Sequence, residues 1–287
     1  MLNIDYTVVT YGAEGLRRVE KMLLPPAPGV RYVVSWQNAP DIDIPPRLSL
    51  PDVLLVKTDS RGISRNRNNA LDYCTADIVV FADDDLILYP DAPENIRNTY
   101  AAYPDADIIT FISEGSGDNT RFPKTGVKFG NKFRRKFPKG YGVRSIEITM
   151  RRRAAETLRC CPDLGIGSPT IHAGEDEMIV LTALRRGMNG RFQPIAICSH
   201  PHPSTGEKSG FTPDNLMGFG CVIALSYPWT ALLRIPLKAW RCRKSATGGF
   251  LSALWHITRG ALAAPGIYLK NRYFLAPRNF SYQSRRT

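Results

Sequence analysis

No Cys-x-x-Cys pair occurs in this chain: its six cysteines stand at positions 74, 160, 161, 198, 221 and 242. That spacing excludes a zinc framework, and reduced, partly buried thiols are expected. The absence of an internal repeat excludes a solenoid or propeller. The opening Met1-Leu2-Asn3-Ile4-Asp5-Tyr6 lacks a basic segment followed by an uninterrupted apolar run, and leads straight into strand-like sequence, so a cytoplasmic protein is expected. Acids are in deficit, with 26 Asp and Glu against 38 Lys and Arg, a net charge of +12. Such an excess attracts phosphate-rich partners: nucleic acid, sugar nucleotides or an anionic membrane. From Lys124 to Lys139 there is no acid at all among seven bases. Phe129, Phe133 and Phe137 recur there every four residues, but Gly126, Gly130 and Pro138 interrupt the helical spacing, and a basic loop is expected.

What is present begins with Asp83-Asp84-Asp85, placed directly after the apolar run Ile78-Val79-Val80-Phe81. A run of this kind reads as an internal strand, and its C-terminal end delivers carboxylates into the crevice where open α/β sheets bind ligands. Carboxylates at i and i+2 can approach one hard divalent cation, which keeps positions free for substrate phosphates. Further short β-rich runs lie at Ile4 to Val9, Val30 to Ser35, Val53 to Lys57, Asp107 to Ile112 and Val143 to Thr149. Helices fit between several of them, at 12–24 and 64–74, and a short helical piece fits from Arg151 to Arg159. Pro25-Pro26-Ala27-Pro28 and Pro45-Pro46 break the connections. Glu175 opens a helix that Gly187 ends, placing Glu175 and Asp176 in its first turn. The expectation is an α/β domain over residues 1–210 with a mainly parallel sheet and covering helices.

Beyond about residue 210 the character changes. Leu216 to Leu233 carries no charge, but Gly218, Gly220, Ser226 and Pro228 make it a poor membrane span, and His256 and Arg259 interrupt the next apolar stretch. Arg234, Lys238, Arg241, Arg243 and Lys244 lie among Trp229, Trp240 and Trp255. Residues 211–287 therefore read as a basic and apolar helical appendage suited to the interface of an anionic membrane.

The ordered set of motifs resembles the family 2 glycosyltransferases, which have the Rossmann-like nucleotide-sugar fold called GT-A, and especially bacterial enzymes of surface-polysaccharide and lipopolysaccharide assembly. The resemblance covers roughly residues 3–203. It rests on Val8-Val9-Thr10-Tyr11, on Gly62-Ile63-Ser64-Arg65-Asn66-Arg67-Asn68-Asn69-Ala70, on the acidic motif at a strand end, and on Gly174-Glu175-Asp176. It implies an inverting, metal-dependent transfer of a sugar from a nucleotide-sugar donor to a hydroxyl of a glycan or lipid-linked oligosaccharide. The enzyme would be peripheral on the inner face of the cytoplasmic membrane; nucleic acid is not among the implied partners.

Carried over residue by residue, Asp83 and Asp85 are similar to the Asp-x-Asp pair. Asp85 would contact Mn²⁺ or Mg²⁺, Asp83 would reach the cation, ribose or diphosphate, and Asp84 would flank them at the donor. Asp176 would be the general base and Glu175 its positioning partner. Thr10, Tyr11, Glu14, Arg65 and Asn66 would line the nucleotide pocket. Where the family often has an Asp-rich turn after the second strand, this chain has Ser35-Trp36-Gln37-Asn38, so Gln37 or Asn38 would take that place. His200 or His202 would complete the metal shell. His172 and Gly174 would meet the acceptor. Two other readings compete. A sugar-nucleotide nucleotidyltransferase would show a fuller basic loop than Thr10-Tyr11-Gly12-Ala13-Glu14-Gly15. A non-catalytic basic module for anionic membrane or nucleic acid would need neither the acidic triplet nor Asp176.

Overall fold

The computed structural model describes residues 1–115, 132–133, 142–200 and 211–276. Among them nine strands form one sheet in the order β3-β2-β1-β4-β8-β6-β9-β5, with β7 paired to β9. The parallel block consists of β1 (Ile4–Tyr11), β2 (Val30–Gln37), β3 (Val53–Thr58) and β4 (Ile78–Asp83). β1 is buried along all but its last residue, as its central place between β2 and β4 requires. β8 (Ile148–Arg151) runs antiparallel between β4 and β6 (Ile108–Gly115). β9 (Gly190–His200) is parallel to β6, and the two-residue strands β5 (Ile87–Leu88) and β7 (Lys132–Phe133) pair antiparallel with it. Six strands, β1 to β4 with β6 and β9, thus share one direction.

Helices pack on this sheet. α1 (Gly12–Met22) buries Gly15, Leu16, Val19 and Met22, the spacing of a helix with one apolar face. α2 (Ile63–Leu71) turns Ser64, Asn66, Arg67, Ala70 and Leu71 inward. α3 (Ala92–Ala102), an element absent from the sequence reading, starts with a proline in its first turn and buries Ile96, Thr99 and Tyr100.

Two segments depart from expectation. The strand expected over Val143 to Thr149 is a turn of 3₁₀ helix, Ser145–Glu147, followed by β8. The Glu147 carboxylate is buried there and accepts from the Ser113 hydroxyl at 2.8 Å and from the backbone N–H of Ser113 and Arg144, each at 3.2 Å, which curls the chain. The helical piece from Arg151 shortens to α4 (Arg152–Ala155), because Cys160 is pinned from outside: Asn68 of α2 bonds both its N–H and its carbonyl. Apart from Lys132–Phe133, the basic stretch 124–139 lies outside the described residues, as does His202.

α5 (Glu175–Arg185) begins after Gly174, whose φ of +90° is the left-handed conformation that favours glycine. It carries the C-terminal helices α6 (Pro213–Ser226), α7 (Ala231–Cys242), α8 (Gly249–Lys270) and α9 (Arg272–Leu275). α6 and α8 cross at backbone contact: a Cβ on Gly220 would fall 1.8 Å from the Ile257 carbonyl oxygen, and one on Gly260 1.9 Å from that of Met217. Arg185 caps the Leu225 carbonyl at 2.7 Å, and Arg186 bonds those of Tyr273 and Ala276. The buried Asp163 accepts from Asn271 at 2.5 Å and from Lys270 at 3.0 Å. Burial works against the Asp163 charge, but these bonds and one from Thr170 outweigh it and hold the carboxyl below the usual aspartate range.

Candidate active site

The parallel strands end on one side of the sheet, and β1 and β4 bring Thr10 and the acidic triplet together there. Each acid of the triplet has a different setting. Asp84 is buried; it accepts from the Thr10 hydroxyl at 2.6 Å and from the Arg18 guanidinium at 2.9–3.1 Å. Burial raises its pKa against the pull of Thr10 and Arg18. Thr10 and Asp84 are thus committed to each other and to α1, a strut under the site rather than two groups facing a donor. Asp83 and Asp85, on either side, remain partly open.

Asp83 meets Arg67 of α2, whose Nη2 lies 3.2 Å from its carboxylate. The other guanidinium nitrogen of Arg67 reaches Asp176 at 2.9 Å and Glu175 at 3.2 Å. One side chain, 2% exposed, therefore joins the end of β4 to the first turn of α5. Burial works against its charge, but Asp176, Asp83 and Glu175 together raise its pKa and keep it cationic. Arg67 was not singled out in the sequence, yet it shares the inward face of α2 with Ser64, Ala70 and Leu71, and an arginine on a buried helix face signals carboxylate partners.

Three carboxylates around one guanidinium cannot all ionise cheaply. Burial pushes Glu175 up to about 8, the adjacent Asp176 charge adds to the rise, and Arg67 only partly opposes it. Burial also raises Asp176, against Arg67 and the Ser145 N–H, which donates to its second oxygen at 3.0 Å. Two adjacent buried carboxyl groups beside one guanidinium favour one proton on the pair. Glu175, the more buried, holds that proton; Asp176, with 24% of its side chain exposed and two donors on it, is the anion facing the crevice. The unfolded chain loses the Glu175 proton near 4.5 and the folded chain near 8, so between those values the folded state binds more protons and stability falls as pH rises. Glu175→Gln should therefore gain stability relative to the wild type between about pH 5 and about pH 8, read from urea midpoints at both ends.

Asp85 faces β9. Its Oδ2 lies 3.4 Å from His200 Nε2, and its Oδ1 is buried without a hydrogen-bond partner. An orphaned carboxylate oxygen beside an imidazole is the donor set that a divalent ion with phosphate ligands completes, so these residues fit Mn²⁺ or Mg²⁺. Among the described residues no cluster of three or more His, Cys, Asp and Glu forms a protein-only metal cage.

The remaining candidates are more dispersed. Tyr11 is 61% exposed at the end of β1, and Glu14 pairs with Arg17 on the open face of α1. Asn38 is exposed just past β2 at a φ of +48°, whereas Gln37 is buried and bonds Ser60 and the Gly62 carbonyl. Arg65 bonds the Arg61 carbonyl at 3.1 Å, just ahead of its own helix, while the buried Asn66 donates to the Thr10 carbonyl at 3.1 Å. His172 is half exposed and lies 3.4 Å from Asp214 of α6; Gly174 packs against Val222 and Gly218 of the same helix. These two stand where the appendage meets the head of α5.

A strand-end acid pair is thus joined through a buried arginine to two acids at a helix start. Residues 44–159 match glycosyl transferase family 2. The family 2 segment contains Arg67 and the whole acidic triplet and stops short of Glu175 and Asp176. No curated protein matches the chain in sequence. Among solved structures, Staphylococcus aureus TarS 1–349 is similar at 13% identity with a TM-score of 0.55, over 94% of this chain and 81% of that one. The same protein in complex with UDP-GlcNAc gives 12% identity and 0.54, over 96% and 89%. Against the longer TarS chain the values are 12% and 0.54, and this chain spans only 42% of it. At such identities the likeness shows the fold, which is GT-A: a curled α/β sheet, mainly parallel, with a helical C-terminal region.

Proposed function

We propose that this chain is an inverting glycosyltransferase that moves a sugar from a nucleotide-sugar donor to a hydroxyl of a glycan or lipid-linked oligosaccharide in bacterial cell-surface polysaccharide synthesis. The observation that carries the reading is the pairing of Asp85 with His200 beside the Asp83–Arg67–Asp176 link, which sets a cation-binding corner next to an anionic base. The family 2 match over residues 44–159 supports it.

Asp85 and His200 would hold Mn²⁺ or Mg²⁺, with Asp83 reaching the ribose or diphosphate, and the ion when bound would neutralise charge on the diphosphate leaving group. The chain's own residues do the rest. Asp176 accepts the proton of the acceptor hydroxyl as its oxygen bonds to the anomeric carbon and the bond from that carbon to the diphosphate oxygen breaks. Ser145 and Arg67 hold the carboxylate still, and Glu175, already protonated, leaves Asp176 as the group free to take the proton. Arg67 also fixes the separation between donor corner and base, so that both partners meet in line.

The test is metal-dependent nucleotide binding, followed by calorimetry. Asp85→Ala and His200→Ala are each expected to weaken Mn²⁺-dependent binding of a nucleoside diphosphate at least about tenfold, with metal-free binding unchanged. Equal affinities with and without Mn²⁺ in the wild type would refute the assignment of this corner. A lipid-linked acceptor would place the enzyme peripherally on the inner face of the cytoplasmic membrane.

A further inference from the structure

The C-terminal helices bury one face and leave the opposite one apolar. On α8 the inward residues are Ala253, Ile257, Gly260, Ala264 and Ile267, and the outward row at the same spacing is Leu251, Trp255, Arg259, Leu262 and Leu269. Eighteen residues of helix make that row about 27 Å long. α7 and the turn before it continue the surface: Trp229 is 97%, Leu232 87% and Leu233 76% exposed. Trp240 lies edge-on to Phe250 at 6.0 Å and joins the two helices. An outward face of this composition marks an interaction site.

Charge identifies the occupant. Within residues 211–276 there are eight Lys and Arg and a single acid, Asp214. Arg234, Arg241, Lys244 and Arg259 are exposed among the apolar residues. Arg243 and Arg234 stack on Trp240 and Tyr227 at 3.9 and 4.1 Å, which presents apolar ring and cation together. A protein partner would have to match this surface with acids; a sheet of anionic headgroups over acyl chains matches it at every point. No single helix among the described residues is long and apolar enough to cross a bilayer, and α6 is bent by 115° from the segment Pro228–Cys242.

We propose that the outer faces of α7 and α8 lie flat in the headgroup region of an anionic lipid bilayer, with Trp229, Leu232 and Leu233 entering the acyl boundary and Arg241, Lys244 and Arg259 contacting lipid phosphates. This deepens the lipid-linked acceptor reading by naming the surface that brings the enzyme to it, but the contact itself stands on α7 and α8 alone. The opposite end of α8 is anchored: Lys270 and Asn271 bond Asp163, in the segment that leads to Gly174 and Glu175. The bilayer contact is thus carried on a helix fixed to the catalytic domain near its active site.

The experiment uses the full chain and vesicles of phosphatidylcholine alone or with phosphatidylglycerol, read by co-sedimentation and tryptophan fluorescence. The wild type should bind the anionic vesicles, with a blue shift, and release with salt. A Trp229→Ser, Leu232→Ser, Leu233→Ser variant should bind at least about tenfold more weakly. An Arg241→Glu, Lys244→Glu variant should lose the preference for anionic lipid by about tenfold or more. All these residues are exposed and distant in sequence from the site, so donor hydrolysis in vesicle-free solution should be unchanged. Wild-type failure to bind, or equal binding by all three proteins, overturns the proposal. Concentration-dependent self-association abolished by the same serine substitutions also overturns it, assigning the face to a second copy of the chain. Loss of donor hydrolysis with vesicle binding intact would count against the transferase reading alone.

Discussion

Asp176→Asn is expected to lower turnover by about 10²–10⁴-fold, the range general-base catalysis contributes, while donor affinity stays within about twofold of wild type. The asymmetry follows from position. Asp176 touches Arg67 and the Ser145 N–H, and the Asp85–His200 pair of the donor corner is held separately, past the end of β4 and on β9. An asparagine there must turn its amide N–H₂ toward either Arg67 or Ser145, both donors, so a loss of about 1–3 kcal/mol of stability accompanies the substitution. Turnover should therefore be measured well below the variant's unfolding temperature. In the wild type the base must be ionised, so the rate should fall as pH drops through a value above the ordinary aspartate range, because burial raises Asp176. That acid limb should vanish from the residual activity of the variant.

The second large effect is structural. Arg67→Met keeps the length and apolar bulk of the side chain but leaves Asp83, Glu175 and Asp176 without their cation, and the cost of stranding buried charge in this way is about 3–5 kcal/mol. The loss should depend on pH in a particular direction. Without Arg67 the folded-state values of Glu175 and Asp176 rise further above their unfolded ones, so the folded protein holds extra protons that it loses as pH increases. Denaturation in urea should accordingly show the variant close to wild type under mildly acidic conditions and well below it in alkaline ones. Arg67→Lys should fall between the two, since one ammonium group cannot place separate donors on Asp83 and on the Glu175–Asp176 pair. A pH-independent deficit would mean that Arg67 acts through packing against Phe81, whose ring its guanidinium overlies at 5.8 Å, and not through charge.

These two residues show what local sequence discloses and what it cannot. The helix start at Glu175 and Asp176 was legible because a glycine, two acids and an apolar row announce it within a dozen residues. The parallel strands were legible for the same reason: a strand buried on both faces must be apolar along its length, as Ile78 to Phe81 is. Arg67 was visible only as one arginine in a polar stretch, since its partners stand 16, 108 and 109 residues away and only the folded chain brings them together. Asp84 was read as flanking the pair at the donor, since the sequence alone does not show that alternate residues at the strand end face opposite ways, toward Thr10 and Arg18 on one side and the crevice on the other. Glu147 misled the reading of Val143 to Thr149: the stretch alternates as a strand should, and the buried carboxylate that curls it is bonded to Ser113, far away in sequence. His200 gained its place from the length of β9, which carries it level with the end of β4.

The central claim is that the corner formed by Asp83, Asp85 and His200 binds a nucleotide-sugar through its diphosphate. It is tested most directly by nucleoside diphosphate release from a panel of UDP-, GDP- and dTDP-sugars with Mn²⁺ or Mg²⁺, and with EDTA as control. The account predicts slow, metal-dependent hydrolysis of one donor, abolished by EDTA and by Asp85→Ala. Release that persists undiminished in both would contradict it.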